Sequence, residues 1–221
     1  MSGAREGPAM LLRHAECVLF DFDGTLVDSC QRVLRAFSEF AEMAGVTVTD
    51  EVIRRFDGLT TFEIVERAKA DWPLRESLEA VTHKYFELLA KSYAQTVEFP
   101  MSTALLKLLA HRGQALGLVT SAAQELIEPV LQRLGWTDLF NCSIFGTRGV
   151  PGKPNPMLYR MALDRLQMSP LNSIAVEDSI AGVRAATAAK ISTIAVVRDV
   201  SFEGVREAGA CFVVKDLLCL C

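Results

Sequence analysis

The chain has 221 residues, 50% of them hydrophobic and 23% charged, which is enough to bury a full core and too apolar for a disordered segment. A net charge of -4 and a pI near 5.5 argue against a general binder of nucleic acid or of an anionic membrane surface. Met1 to Glu16 lacks the apolar centre of a signal peptide and no later run is long enough to span a bilayer, so we expect a soluble, cytoplasmic protein with neither a nucleic-acid nor a membrane partner.

The first predicted element is the apolar run Cys17-Val-Leu-Phe20, read as a buried strand that ends on Asp21 and Asp23 and turns at Gly24. Residues i and i+2 of an extended segment share a face, so the two carboxylates can point together at the strand's carboxyl end, where open α/β sheets bind ligands. Adjacent like charges need a cation or a proton to relieve them, which makes Mg²⁺ the first candidate. Taken alone, Asp-Phe-Asp-Gly also fits a solvated turn. An EF-hand does not fit, because Thr25, Leu26 and Arg32 stand where that loop needs an acid or amide, a glycine and a glutamate.

Residues 30–96 carry apolar residues at helical spacing, over Gln31 to Met43, Thr61 to Ala70 and Leu74 to Tyr93, with no convincing strand. A parallel sheet returns to a strand after one crossover helix, so several helices in a row predict a separate helical cap over 30–96, beside a core made of 1–29 and 97–221. From Ser102 onward helices and strands alternate. The predicted strands are Ala115 to Val119, Cys142 to Phe145, Ser173 to Val176, Thr193 to Val197 and Cys211 to Val214. This pattern gives an α/β fold with a doubly wound, mostly parallel sheet.

Three later strand ends carry polar groups. Thr120-Ser121 offers hydroxyls and backbone N–H groups before a helix, a place suited to phosphate, though alone such a pair is more often a plain N-cap. Lys153 lies in the stiff turn Gly152-Lys-Pro-Asn-Pro156, and Glu177-Asp178-Ser179 places two more acids ahead of a helix rich in small residues. The cysteines Cys17, Cys30, Cys142, Cys211, Cys219 and Cys221 have no paired metal spacing and fit a reducing compartment.

DFDGTLVDS with Asp21 and Asp23, Thr120 after an apolar strand, Lys153 in GKPNP and Glu177-Asp178 in VEDSIAG, in that order, resemble the four motifs of the haloacid dehalogenase-like hydrolase superfamily. The segment 30–96 resembles that family's C1-type cap, and the nearest branch is that of phosphoglycolate phosphatases and β-phosphoglucomutase-like proteins. The resemblance implies a Rossmann-like core and a Mg²⁺-dependent phosphatase. Asp21 would be the nucleophile that forms an aspartyl-phosphate, and Asp23 the general acid and base. Mg²⁺ would be held by Asp21, the backbone carbonyl of Asp23, and Asp178, with Glu177 behind them. Thr120 and Lys153 would stabilise the phosphoryl group, with Gly24, Ser121 and the cap residue Thr61 completing the substrate site. Dehalogenases resembling this chain lack the second aspartate, and phosphonatases need a cap lysine for which no candidate is found. Mutases place a histidine at Val33 and an arginine at Thr61. The implied partner is a small phosphorylated metabolite: a sugar phosphate, a sugar-acid phosphate such as phosphogluconate, or phosphoglycolate. The protein itself is expected to be a monomer or weak dimer. A β-phosphoglucomutase-like mutase, a non-catalytic phosphate-binding module and a phospho-acceptor signalling domain are the alternatives. Against the last two stand the joint presence of Asp23, Lys153 and Asp178, and the inserted helices.

Overall fold

A computed structural model describes residues 7–198 and 201–221; residues 1–6 of the polar leader lie outside the described residues. The chain runs α1 (Pro8–His14), β1 (Cys17–Phe20), β2 (Val27–Asp28), α2 (Cys30–Met43), α3 (Asp50–Phe56), α4 (Thr61–Asp71), α5 (Leu78–Ala94) and β3 (Val97–Glu98). It continues with α6 (Ser102–His111), β4 (Ala115–Val119), α7 (Gln124–Leu134), β5 (Cys142–Ile144), α8 (Met157–Leu166), β6 (Ser173–Glu177), α9 (Ile180–Ala188), β7 (Ser192–Val196), α10 (Phe202–Glu207) and β8 (Phe212–Val214).

Six strands form one sheet in the order β5-β4-β1-β6-β7-β8, and every pairing in it is parallel. The doubly wound sheet expected from the sequence is therefore present. All four residues of β1 are buried, as a central strand covered on both faces requires. Alternate residues feed different layers. Val18 and Phe20 join the larger core beneath α6 and α7, while Cys17 and Leu19 pack with Leu158, Ala162, Ala185 and Ala186 of α8 and α9.

Helices α2 to α5 follow one another between β2 and β3, which pair as a short antiparallel ribbon. The apolar spacing marked α2, α4 and α5 but neither the seven-residue α3 nor the ribbon, because so few residues leave no periodicity to read. An aromatic cluster binds the four helices together: Phe40 stacks on Tyr85 with ring centroids 4.6 Å apart, and Trp72 meets Phe37, Phe40 and Phe56. Helix α5 starts at Leu78, four residues later than its apolar spacing suggested, because the side chain of Ser77 caps it there.

The polar start of the chain conceals a further element. Pro8 opens α1, and Leu12 is fully buried. Gln114 satisfies its end, donating through Nε2 to the carbonyls of Leu12 at 2.8 Å and Ala15 at 2.7 Å. No helix among the described residues is long and apolar enough to cross a membrane. Cys17 and Cys142 are buried, whereas Cys30, Cys211, Cys219 and Cys221 are exposed.

Thr60 closes a capping box at the head of α4. Its hydroxyl accepts from the Glu63 amide at 3.2 Å, and the Glu63 carboxylate accepts from the Thr60 amide at 2.8 Å. The same Glu63 oxygen accepts from the Gly152 amide at 2.9 Å, tying α4 to the Lys153 turn. Thr60→Ala should lower stability by about 1 kcal/mol, read as a fall in the urea midpoint at unchanged m-value.

Candidate active site

The site is a product of strand register. Phe20 stands beside Leu118 of β4 and Val176 of β6, so Asp21, Thr120 and the Glu177-Asp178 pair emerge from three adjacent strands at one rim. The Asp21 amide extends the ladder by donating to the Val176 carbonyl at 3.0 Å.

Lys153 enters this rim from the turn before α8 and is buried. Its ammonium donates to Asp21 Oδ1 at 2.5 Å, Glu177 Oε1 at 2.6 Å and the Val119 carbonyl at 3.1 Å. All three of its protons are thus committed. Glu177, fully buried, also accepts from the Tyr159 hydroxyl at 2.7 Å. Burial works against the ammonium, yet the Asp21 and Glu177 carboxylates outweigh it and raise the Lys153 pKa. Burial pushes the Asp21 carboxyl up to about 7, with Lys153 pulling down and Glu177 and Asp23 pushing further up. Nζ lies between the two carboxylates, so the ammonium offsets the burial of their charge and they offset the burial of its own.

Asp23 looks elsewhere. Its Oδ1 accepts from Ser29 Oγ at 2.5 Å and its Oδ2 from the Tyr93 hydroxyl at 3.0 Å. Burial raises its pKa while these two donors lower it. Tyr93 belongs to α5, so the carboxylate rising from the sheet is partly held by the inserted helices.

Asp178 has its pKa raised well above the usual range, first by burial and then by Asp21 and Glu177. Carboxylate oxygens of Asp21, Glu177 and Asp178 lie within 4.8 Å of one another. Among the described residues, Lys153 is the only cation lining the cavity onto which Asp21 and Asp178 open. This donor set fits a hard divalent cation: oxygen ligands, crowded and desolvated, short of positive charge. Glu177 has both oxygens engaged by donors, which leaves Asp21 and Asp178 as the side chains to hold an ion. The Asp23 side chain is not in the cluster.

Gly24 takes φ +76°, and a Cβ there would lie 2.0 Å from Asp178 Oδ2, so the turn needs glycine for both conformation and space. Its amide donates to the Val27 carbonyl at 2.9 Å and its carbonyl accepts from Arg198 at 2.5 Å. The Gly24 N–H is therefore spent within the turn. At Thr120, Oγ1 accepts from the Ala122 amide at 3.1 Å, leaving the hydroxyl proton to donate. The Ser121 hydroxyl donates to the Gly58 carbonyl at 3.0 Å. Thr61 is fixed to the core, its amide donating to the Ser121 carbonyl at 3.1 Å and its hydroxyl accepting from the Ala123 amide at 3.1 Å.

Asp21, Asp23, Thr61, Thr120, Ser121, Lys153 and Asp178 line one cavity of about 380 Å³ between the sheet rim and helices α2 to α5. Gly24 lies beside it against Asp178. Sequence reasoning missed Ser29, Tyr93, Tyr159 and Arg198. Ser29 lay inside the first motif, whereas Tyr93 and Tyr159 sat at apolar helical positions where a tyrosine reads as core. Arg198 donates to Gly24 and stacks 3.5 Å from the centroid of Phe99.

Comparison with known proteins agrees with this arrangement. Residues 18–196 match the family described as haloacid dehalogenase-like hydrolase. The chain is 30% identical over 203 residues to a phosphorylated carbohydrates phosphatase of Thermotoga maritima, covering 90% of this chain and 94% of that one. It is 34% identical over 178 residues to a phosphoglycolate phosphatase of Yersinia pestis, covering 78% of this chain and 76% of the relative. The crystal structure of CbbY from Rhodobacter sphaeroides in complex with phosphate has the same fold, with a TM-score of 0.77 at 24% identity over 91% of this chain and 94% of that one. With its motifs at one sheet rim and a family match across most of its length, the chain belongs to the haloacid dehalogenase-like hydrolases.

Proposed function

We propose that the protein is a Mg²⁺-dependent phosphatase that hydrolyses a small phosphomonoester through an aspartyl-phosphate, with residues 30–96 acting as the cap over its active site. The observation that carries this reading is the buried contact of Lys153 with Asp21, beside a second aspartate, Asp23, held separately by Ser29 and Tyr93. One carboxylate is kept ionised for attack and the other is placed for proton transfer. The names of the two relatives, a phosphorylated carbohydrates phosphatase and a phosphoglycolate phosphatase, support the reaction class.

In this mechanism Oδ1 of Asp21 stays on Lys153, and Oδ2 attacks phosphorus in line with the leaving oxygen. Asp23 donates a proton to that oxygen as the P–O bond breaks, and the alcohol departs. The same carboxylate then takes a proton from water as it attacks the aspartyl-phosphate, releasing inorganic phosphate and restoring Asp21. Thr120 donates its free hydroxyl proton to a phosphoryl oxygen. Lys153 acts chiefly through Asp21, since its three protons are already placed. Asp21, Asp178 and the Asp23 carbonyl would hold Mg²⁺, which when bound supplies positive charge to the phosphoryl oxygens and to the crowded carboxylates.

The enzyme should release p-nitrophenol from p-nitrophenyl phosphate with added Mg²⁺ and stop when EDTA is present in excess. Turnover that is undiminished in EDTA would reject the metal-dependent reading.

A further inference from the structure

The cavity over the carboxylates has a wall as informative as its floor. Its cap side is lined by Val33, Leu34, Phe37, Ile53, Ile64 and Leu89, together with other apolar side chains. Val33, Leu34, Ile53 and Ile64 are only half-buried, so they present hydrocarbon to whatever occupies the space. A phosphoryl group on Asp21 has its leaving group in this space, and an apolar wall gains free energy by covering an apolar group.

The charges point the same way. Besides Asp21, Asp23 and Asp178, the lining holds one further charge of negative sign, Asp57, and one cation, Lys153. The Lys153 protons are fully used. Several cationic side chains around the cavity are engaged elsewhere: Arg55 pairs with Asp71 at 2.8 Å, Arg54 donates to the Asp50 carbonyl at 3.1 Å and Arg32 donates to Gln95 at 3.1 Å. Arg148 pairs with Glu66 at 3.3 Å over the Phe62 ring, and Arg198 stacks on Phe99. A carboxylate on the leaving group would meet this hydrocarbon, the polar groups of Cys30, Thr61, Tyr85 and Tyr93, and Asp57, and among the described lining residues no cation besides the committed Lys153.

We propose that the substrate is the phosphate ester of an uncharged, largely hydrocarbon alcohol, and that the cap rejects esters whose organic part carries a carboxylate. This rests on the phosphatase reading above and narrows it: of the small phosphomonoesters considered from sequence, phosphoglycolate and sugar-acid phosphates are the poor substrates. The wall would contribute chiefly through hydrophobic contact, so rate should grow with the length of the alkyl chain until the cavity is filled.

The test compares kcat/KM for n-butyl phosphate, ethyl phosphate, 4-phosphooxybutanoate and phosphoglycolate, with p-nitrophenyl phosphate as the reference. Butyl phosphate should exceed ethyl phosphate by at least about 10-fold and 4-phosphooxybutanoate by about 100-fold or more. Leu34→Arg, which adds a cation at a half-buried wall position, should shift the ratio toward the carboxylate ester by about 10-fold or more. Asp57→Asn, at an exposed position, should move it the same way by a smaller factor. A carboxylate ester turned over as well as butyl phosphate, alongside good hydrolysis of p-nitrophenyl phosphate, overturns the substrate class and leaves the phosphatase reading standing. Failure to hydrolyse p-nitrophenyl phosphate overturns both.

Discussion

Asp21→Asn should lower phosphate release by at least about 10,000-fold while the protein remains folded. The amide keeps the shape of the side chain, and its oxygen can still accept from Lys153, which sits 2.5 Å from the native carboxylate. What it loses is the anionic oxygen that attacks phosphorus. Stability has compensating terms: one partner of a buried ion pair becomes neutral, but so does one member of a carboxylate cluster whose burial raises the pKa of Asp21 and Asp178. The urea midpoint should therefore stay close to that of the wild type. A variant that retains most of its activity would remove Asp21 from the role of nucleophile.

Lys153→Met should be damaging in both respects. Without the ammonium, Asp21 and Glu177 are left as buried carboxylates, with Glu177 keeping the Tyr159 hydroxyl and Asp21 losing its cation. Removing one partner of such a pair costs about 3–5 kcal/mol, which will appear as a large fall in the urea midpoint alongside loss of turnover. Lys153→Arg should not rescue it. Three acceptors on three strand ends converge on one nitrogen, and a planar guanidinium cannot replace a tetrahedral ammonium there. Combining Lys153→Met with Glu177→Gln should restore part of the stability and none of the activity, since one uncompensated charge is gone but Asp21 still lacks its partner. Equal urea midpoints for Lys153→Met and the wild type would show that the buried pair contributes nothing to folding.

The sheet and most of the rim residues could be read from the sequence because each strand is a short apolar run that stops at a polar group. Asp21, Thr120 and Asp178 follow such runs directly, so placing the strands also placed the residues. Lys153 was legible for another reason: glycine and proline on either side restrict its turn. The supporting hydrogen bonds were not legible. Tyr93 and Tyr159 occupy apolar helical positions, and which of their atoms meets a carboxylate is decided by how helices pack, across 70 residues to Asp23 and 18 to Glu177. Helix α1 escaped notice because seven residues with a single fully buried leucine make too weak a pattern. The Thr60 cap of α4 is of the other kind, since its signature with Glu63 is local.

The central position of β1 has a consequence for biosynthesis. Its two neighbours, β4 and β6, arrive roughly 100 and 155 residues later in the chain, and Lys153 comes out of the ribosome long after Asp21. A nascent polypeptide thus carries Asp21 well before Lys153 and Asp178, its neighbours at the folded rim, exist. The rim is assembled only once residue 178 has been made, and a message cut short before that point yields Asp21 without Asp178, the carboxylate that clusters with it.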